Sequence, residues 1–472
     1  MNRFKDEVLV LGGGLAGLSA GHALAKAGVQ VSVLERDARV GGLAKTVVHG
    51  PFRFDLGGHR FSTEDKGVEA LVHDLLGHEI TRVRRKSQIL LRGRHIDYPL
   101  RPLNAILGLG APTTLKAALD YALEKLKGEF RPSPRVSLED WVVGNFGRTL
   151  FDIYFKQYSE KVWGVPCNRI SAEWVEQRIK GLSLGVAVQN AFLRTKGNTP
   201  STLTEGFLYP SRGIGRIAER LSEEIERENR VLCGVEVSRL RHEAFRIKGA
   251  MARRGPQALA LEARAFISTL PMSDLVRMLD PSPPGEVLRA AARLRFRDLV
   301  VVAVMLDTDR ATDQSWIYIP EPQIPFGRIH EPTNWSRRMA PAGKTLLVTE
   351  WFCFRGDEIW RASDQELGRR TVHHLASLGF IKEGDVAGWV ARRVPKAYPL
   401  LEGGYEAHVE KVREYLGRFE NLFMAGRGGL FRYYNMDHAM ASGMEAAGKA
   451  MDGGLELREP DQDGWILAGQ TA

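Results

Sequence analysis

Val8-Leu-Val-Leu-Gly12-Gly-Gly14-Leu-Ala-Gly17-Leu decides the fold. An apolar run from Glu7 to Leu11 reads as a strand, and residues 12 to 17 interrupt it with glycines. Leu18 to Ala27 resume at helical spacing and stop at Gly28, and Val29 to Leu34 make a second strand ending beside Glu35. Strand, glycine turn, helix and strand in that order open a dinucleotide-binding unit. Each glycine has its own task. Gly12 permits the tight turn, Gly14 lets backbone come close to a pyrophosphate, and Gly17 lets helix and strand pack closely. The helix N-terminus offers amides and the positive end of its dipole to phosphates, and Glu35 can accept hydrogen bonds from a ribose. These residues predict an adenine dinucleotide, without separating FAD from NAD.

Outward from that stretch, 472 residues with 44% hydrophobic and 26% charged side chains can bury a large core and divide into two or three domains. The formal charge of +9 raises the question of an anionic partner. Its densest cluster, Arg82, Arg84, Arg85 and Lys86, alternates partly with apolar residues and reads as a solvated strand face. No recognition motif accompanies it, so no nucleic-acid partner is expected. Cys167, Cys233 and Cys353 lie far apart without metal-ligand spacing, which argues for a reducing compartment without disulfides or a metal site. The first residues run straight into a strand, so a cytoplasmic protein is expected. No apolar stretch reaches the roughly 18 residues needed to span a bilayer. Between 103 and 127, Leu103, Ile106, Leu107, Leu109, Leu115, Leu119, Leu123 and Leu126 suit either amphipathic helices on a membrane or helices facing the core. The core reading is favoured, since Ala and Leu at helical spacing are what cores contain.

Further along, residues 100 to 200 read as mainly helical. Short strands joined by turns are expected at Val231-Leu232, Phe245-Arg-Ile247, Leu259 to Leu261 and Ala265 to Leu270. A second strand-rich block runs from Leu299 to Phe354. Leu422 to Ala425 make a last strand before Gly426, and a small-residue helix follows from Met436 to Met451. The expected fold is α/β: a Rossmann-type FAD-binding domain built from discontinuous segments 1–77, 205–275 and 393–455, a mainly helical domain 78–204, a strand-rich substrate domain 276–392, and a polar tail 456–472.

Arg39-Val-Gly41-Gly42 and Phe54-Asp-Leu-Gly57-Gly58-His59 follow the acidic strand, and Ala425-Gly426-Arg427-Gly-Gly429 lies far downstream. In this the chain resembles the amine-oxidase-like flavoproteins. That resemblance implies FAD, with Gly41 and Gly42 passing close to it, Gly57 and Gly58 near the flavin, a C-terminal cap at Gly426 and Arg427, and Val237 against the adenine.

The resemblance sharpens to the UDP-galactopyranose mutases, through Gly426-Arg-Gly-Gly-Leu-Phe-Arg-Tyr-Tyr-Asn-Met-Asp437-His and Gly57-Gly-His-Arg-Phe. Tyr98-Pro, Lys161-Val-Trp163-Gly-Val-Pro, Tyr209-Pro-Ser-Arg-Gly, Trp316-Ile-Tyr318, Pro325-Phe-Gly-Arg328 and Ala397-Tyr398-Pro follow in the order of the longer, eukaryotic-type mutases. In that family reduced flavin attacks the anomeric carbon of a nucleotide sugar through N5 and displaces the diphosphate, so that the sugar recloses at the other ring size. A diphosphate leaving group suits arginine forks better than lysine. The resemblance implies Arg178 and Arg328 as those arginines and Tyr398 and Tyr433 as the hydroxyls beside them. It also implies Tyr98, Trp163 and Tyr318 in the sugar-nucleotide cleft, His59 against the isoalloxazine, and Asp437 on the cofactor. NAD(P)H is a candidate external reductant, a nucleoside-diphosphate sugar or another diphosphate-bearing small molecule the expected ligand, an oligomer a candidate assembly, and cell-surface polysaccharide synthesis the implied context.

Two positions depart from the mutase pattern. Arg60 follows Gly-Gly-His where the family has an apolar residue, and Arg101 follows Tyr98-Pro where it has a neutral polar one. No segment matches the base-binding stretch, which leaves nucleotide and sugar open. The competing reading is an FAD-dependent oxidoreductase of the protoporphyrinogen oxidase, carotenoid desaturase or amine oxidase type, which needs an apolar tunnel and no paired arginines.

Overall fold

The computed structural model describes residues 4–98, 110–130, 136–174 and 206–453. The chain forms two compact units, both discontinuous: Met1–Gly42 with Ile217–Ala292 and Val409–Ala472, and Leu43–Arg216 with Arg293–His408. The helical and strand-rich segments, read from sequence as separate domains, share the second unit. The reason is a shared sheet, in which Ser87–Leu91 pairs in parallel with Trp316–Tyr318.

In the first unit the parallel strands lie side by side in the order Arg230–Cys233, Val31–Glu35, Phe4–Leu11, the far half of Gln257–Ser268, and Leu422–Met424. Val8 to Leu11 and Val31 to Glu35 are buried throughout, as befits parallel strands covered on both faces. The near half of Gln257–Ser268 pairs antiparallel with Arg246–Arg254, which pairs in turn with Val235–Glu243. Val231-Leu232 is the short strand expected, whereas Ile247 belongs to the nine-residue Arg246–Arg254 and the segments from Leu259 and from Ala265 merge into the single strand Gln257–Ser268. Phe245 belongs to a turn and not to a strand, because Ala244 and Phe245 both take positive φ, 44° and 58°, as a two-residue hairpin requires. The glycine-turn helix spans Leu15–Lys26 and the small-residue helix Met436–Asp452. A Cβ on Gly443 would sit 2.0 Å from the Ala16 carbonyl oxygen, so glycine is what lets these two helices cross in contact.

The second unit is organised on Phe296–Leu306, eleven residues all buried. Its neighbours are Thr345–Cys353 and Val386–Pro399, both antiparallel to it. Side chains alternate across the sheet. Val300, Val302, Val304 and Leu306 join Leu367 and Leu375 of the Asp364–Ser377 helix, while Leu299, Val301, Ala303 and Met305 face Phe52, Phe54 and Phe352. A lysine is built into this core. Lys161 Nζ donates to the carbonyls of Ile319 at 2.8 Å and Ile324 at 2.9 Å, fixing the loop between Tyr318 and Arg328.

The helix Ala111–Phe130 overturns the core reading of its leucines. Thr113, Thr114, Ala117, Asp120, Tyr121 and Glu124 make the inward stripe, with Asp120 accepting from Thr149 N at 3.1 Å. Leu115, Leu119, Leu123 and Leu126 are 63%, 56%, 53% and 52% exposed. The pattern has helical period, but the polar face is the packed one. Leu103, Ile106, Leu107 and Leu109 lie outside the described residues. Among the described residues no helix is long and apolar enough to cross a membrane.

Candidate active site

The glycine turn has the geometry its spacing predicts. Gly12 takes φ 110°, in the left-handed half of conformational space, and a Cβ on Gly17 would lie 1.9 Å from the Gly12 oxygen. Gly41 N donates to Gly13 O at 2.7 Å, so the glycine pair runs directly along the turn. A Cβ on Gly14 would meet only the Gly42 Cα, at 3.8 Å, which leaves space for a ligand at that backbone. Glu35 is buried at the end of its strand. Its Oε2 accepts from Gly13 N and its Oε1 from Asp37 N, each at 2.9 Å. Each oxygen keeps a lone pair, so the anchored carboxylate can still accept two ribose hydroxyls.

Downstream in the same unit, Gly426 takes φ 78° and donates to Ser442 Oγ at 3.0 Å. Asp437 is buried, and its Oδ1 accepts no hydrogen bond among the described residues. A buried orphan acceptor calls for a donor, which a cofactor hydroxyl would supply. Arg427 donates from Nε to Tyr434 O at 2.8 Å and lies over the Tyr433 ring at 5.3 Å. Val237 is buried beside an irregularity in the Val235–Glu243 strand. An open glycine cradle, an anchored ribose acceptor and an orphan carboxylate oxygen fit an adenine-dinucleotide flavin.

The second unit gathers the residues of the implied chemistry. Strand register places Arg328 opposite Glu350. Arg328 Nη1 meets Glu350 Oε1 at 3.2 Å, and that same oxygen accepts from Gly58 N at 2.9 Å. Arg328 Nη2 donates to the Tyr158 hydroxyl at 3.4 Å, and the guanidinium lies over the Tyr318 ring at 5.6 Å. Tyr318 meets the ring of Tyr98 at 5.1 Å and that of Tyr158 at 5.3 Å, edge to face. Burial works against the Arg328 charge, but the wholly buried Glu350 carboxylate, together with the phenols of Tyr158, Tyr398 and Tyr318, outweighs it and holds the group well above its ordinary range. Burial first, and Arg328 second, push His330 down to about 3, so this imidazole, stacked on Trp335, is neutral.

Alongside, Trp163 is buried and packs edge-on against Trp174 at 5.2 Å and Tyr398 at 6.2 Å. His59 N donates to Gly57 O at 2.8 Å in the turn that also bears the Gly58 amide. The structure thus brings together Gly57, Gly58, His59, Tyr98, Trp163, Tyr318, Arg328 and Tyr398, while Tyr433 belongs to the other unit. Arg178 and Arg101 lie outside the described residues. Arg82, Arg84 and Lys86 are exposed, as a solvated face requires, and Arg85 alone departs from that reading. It is buried, with Nε bonded to Ser87 Oγ at 3.1 Å and its guanidinium 5.1 Å from the Trp316 ring centre. Arg60 lies 5.3 Å from the same ring.

Three residues of this site were not read from sequence. Glu350 had a usable signal, a lone acid inside the apolar run Thr345-Leu-Leu-Val-Thr-Glu350-Trp-Phe-Cys353, since a buried charge in a strand needs a partner. Tyr158 and His330 carried none.

A glycine-turn nucleotide-binding sheet in one unit and a half-buried cation among aromatics in the other are the marks of a dinucleotide-dependent enzyme. The chain belongs to the flavin-containing amine oxidoreductase family, which it matches over residues 15–451. It is therefore a flavoenzyme of the amine oxidase superfamily. Among relatives, protoporphyrinogen oxidase 2, chloroplastic/mitochondrial, of Arabidopsis thaliana is 22% identical over 93% of this chain and 92% of its own length. Among solved structures, a reduced UDP-galactopyranose mutase superposes with a TM-score of 0.83 at 22% identity, covering 96% of this chain and 95% of that one. A putative protoporphyrinogen oxidase from Exiguobacterium superposes with a TM-score of 0.72 at 16% identity, covering 95% and 99%. These superpositions establish a mixed α/β fold shared with the mutases and oxidases.

Proposed function

We propose that this flavoenzyme interconverts the pyranose and furanose forms of a nucleoside-diphosphate sugar. The observation that carries the reading is Arg328, kept cationic by Glu350 among the phenols of Tyr158, Tyr318 and Tyr398. A positive charge fixed in advance lowers the cost of the negative charge that grows on a departing diphosphate. In this reading Arg328 holds the diphosphate and Tyr398 donates its hydroxyl to it. Tyr98, Trp163 and Tyr318 line the sugar-nucleotide side. Glu350 keeps Arg328 oriented. FAD, when bound in its reduced form with NAD(P)H as external reductant, supplies the nucleophile.

A second reading, net oxidation of an apolar substrate, is favoured by the full-length relation to protoporphyrinogen oxidase 2. The two differ in electron bookkeeping. A mutase needs reduced flavin yet consumes no reductant, whereas an oxidase consumes an acceptor with every product. Dithionite-reduced enzyme, screened anaerobically against nucleoside-diphosphate hexoses, is expected to yield a furanose product, and oxidised enzyme none. Stoichiometric oxidation of an apolar substrate, with no isomerisation of any nucleotide sugar, overturns the mutase reading.

A further inference from the structure

We propose that the outer face of the helix Ala111–Phe130 docks this protein on an anionic lipid surface. The helix is inverted relative to an ordinary surface helix. Its packed stripe carries Thr113, Thr114, Ala117, Asp120, Tyr121 and Glu124, and its outward face carries Leu115, Leu119, Leu123 and Leu126, each more than half exposed. At about 100° per residue the four leucines fall within one arc of about 80°, a continuous ridge and not scattered apolar residues. Such a ridge left in water costs free energy and marks a docking surface. It is not a packing accident. The inward face is fixed independently by Asp120, whose carboxylate accepts from Thr149 N, and by the close approach of Gly147 to Tyr121, where a Cβ would lie 2.9 Å from the Tyr121 nitrogen.

Charge selects the occupant. The exposed residues described on this helix are Pro112, the four leucines, Ala118, Ala122, Lys116, Lys125 and Lys127, so every exposed charge is a lysine. Lys116 and Lys127 flank one side of the ridge, and Lys125, whose ammonium lies 5.5 Å from the Tyr121 ring centre, flanks the other. Glu124, which pairs with Lys127 at 2.8 Å, belongs to the inward stripe. Leucine on one face with lysine along its borders is the composition of a helix that lies in the membrane interface, leucines among acyl chains and ammonium groups reaching up to phosphates. A second copy of this chain meeting the ridge would set lysine against lysine, and the formal charge of +9 adds to that repulsion. The same charge favours an anionic bilayer.

Sedimentation of the FAD-loaded protein with vesicles tests this. Binding is expected to vesicles of phosphatidylglycerol and phosphatidylcholine at about 0.1 M salt, much less to phosphatidylcholine alone. The double variant Leu119→Glu/Leu123→Glu is expected to lose about tenfold or more of the partition coefficient. Its flavin absorbance and unfolding midpoint should stay unchanged, because both side chains are exposed in the fold. Lys116→Glu/Lys125→Glu, a second and milder probe, should reduce binding to the anionic vesicles only. Failure of the wild type to sediment with anionic vesicles, or equal sedimentation of the leucine variant, overturns the proposal. So does a wild-type oligomer that Leu119→Glu/Leu123→Glu dissociates, since the ridge would then be covered by a second copy.

Discussion

Arg328 and Glu350 face each other across neighbouring strands, and the carboxylate oxygen that meets the guanidinium at 3.2 Å also accepts from the Gly58 amide at 2.9 Å. One buried acid thus links the strand that bears the arginine to the Gly57-Gly58-His59 turn. Breaking one partner of such a pair strands a buried charge, whereas removing both removes the cost as well. Glu350→Ala is expected to lower unfolding free energy by about 3 to 5 kcal/mol, and Arg328→Met/Glu350→Ala to recover part of that loss. Denaturant unfolding of the two singles and the double measures the coupling. Additive effects would mean that the two side chains do not depend on each other.

Arg328 also makes the most direct prediction for turnover. On the mutase reading, Arg328→Ala loses about 2 to 4 kcal/mol of transition-state stabilisation, or about thirty- to a thousandfold in rate. Arg328→Lys recovers only part, because a point charge cannot reproduce a planar fork. Steady-state rates of reduced enzyme on the active nucleotide sugar decide it, and an unaffected Arg328→Ala variant removes this residue from the chemistry.

The cradle over Gly14 is expected to be a matter of space alone. Gly14→Trp fills the opening where a Cβ now meets only Gly42 at 3.8 Å, and should give folded, colourless protein. Absorbance of flavin released on denaturation, measured beside far-ultraviolet circular dichroism, reports both properties. Full FAD content in that variant would place the pyrophosphate elsewhere.

Asp55 predicts a pH dependence of stability. Burial raises its pKa from 3.8 to about 6, more than offsetting donation from Thr46 Oγ1, the Tyr209 hydroxyl and Ile214 N. The folded chain therefore binds this proton more tightly than the unfolded one. The group's contribution to stability is fullest below pH 3.8 and is lost as pH rises through about 6. A shift of this size corresponds to about 3 kcal/mol. Denaturation of wild type and Asp55→Asn between pH 4 and 7 should show the wild type losing ground to the variant as pH rises, and a constant difference would contradict the assignment.

What the chain settles by itself is local. Gly12, Gly14, Gly17 and Glu35 specify a nucleotide-binding turn because a left-handed glycine, a close crossing and an acid at a strand end each follow from a few adjacent residues, and the same spacing foretold both strands and the helix between them. The apolar run Leu299 to Leu306 likewise placed a strand-rich block there, and the structure makes it part of the wholly buried strand Phe296–Leu306. Tertiary structure decided what depends on distant neighbours. Glu350 becomes a partner of Arg328 only through the register of two strands, which no local pattern encodes. Arg85 leaves the solvated face expected of it because Trp316, 231 residues further on, lies beneath its guanidinium. The leucines of 111–130 have the period of a buried stripe, and period tells which residues share a face without telling which face is packed. That choice fell to Thr149 and Gly147, which hold the polar side inward and leave the leucines outside.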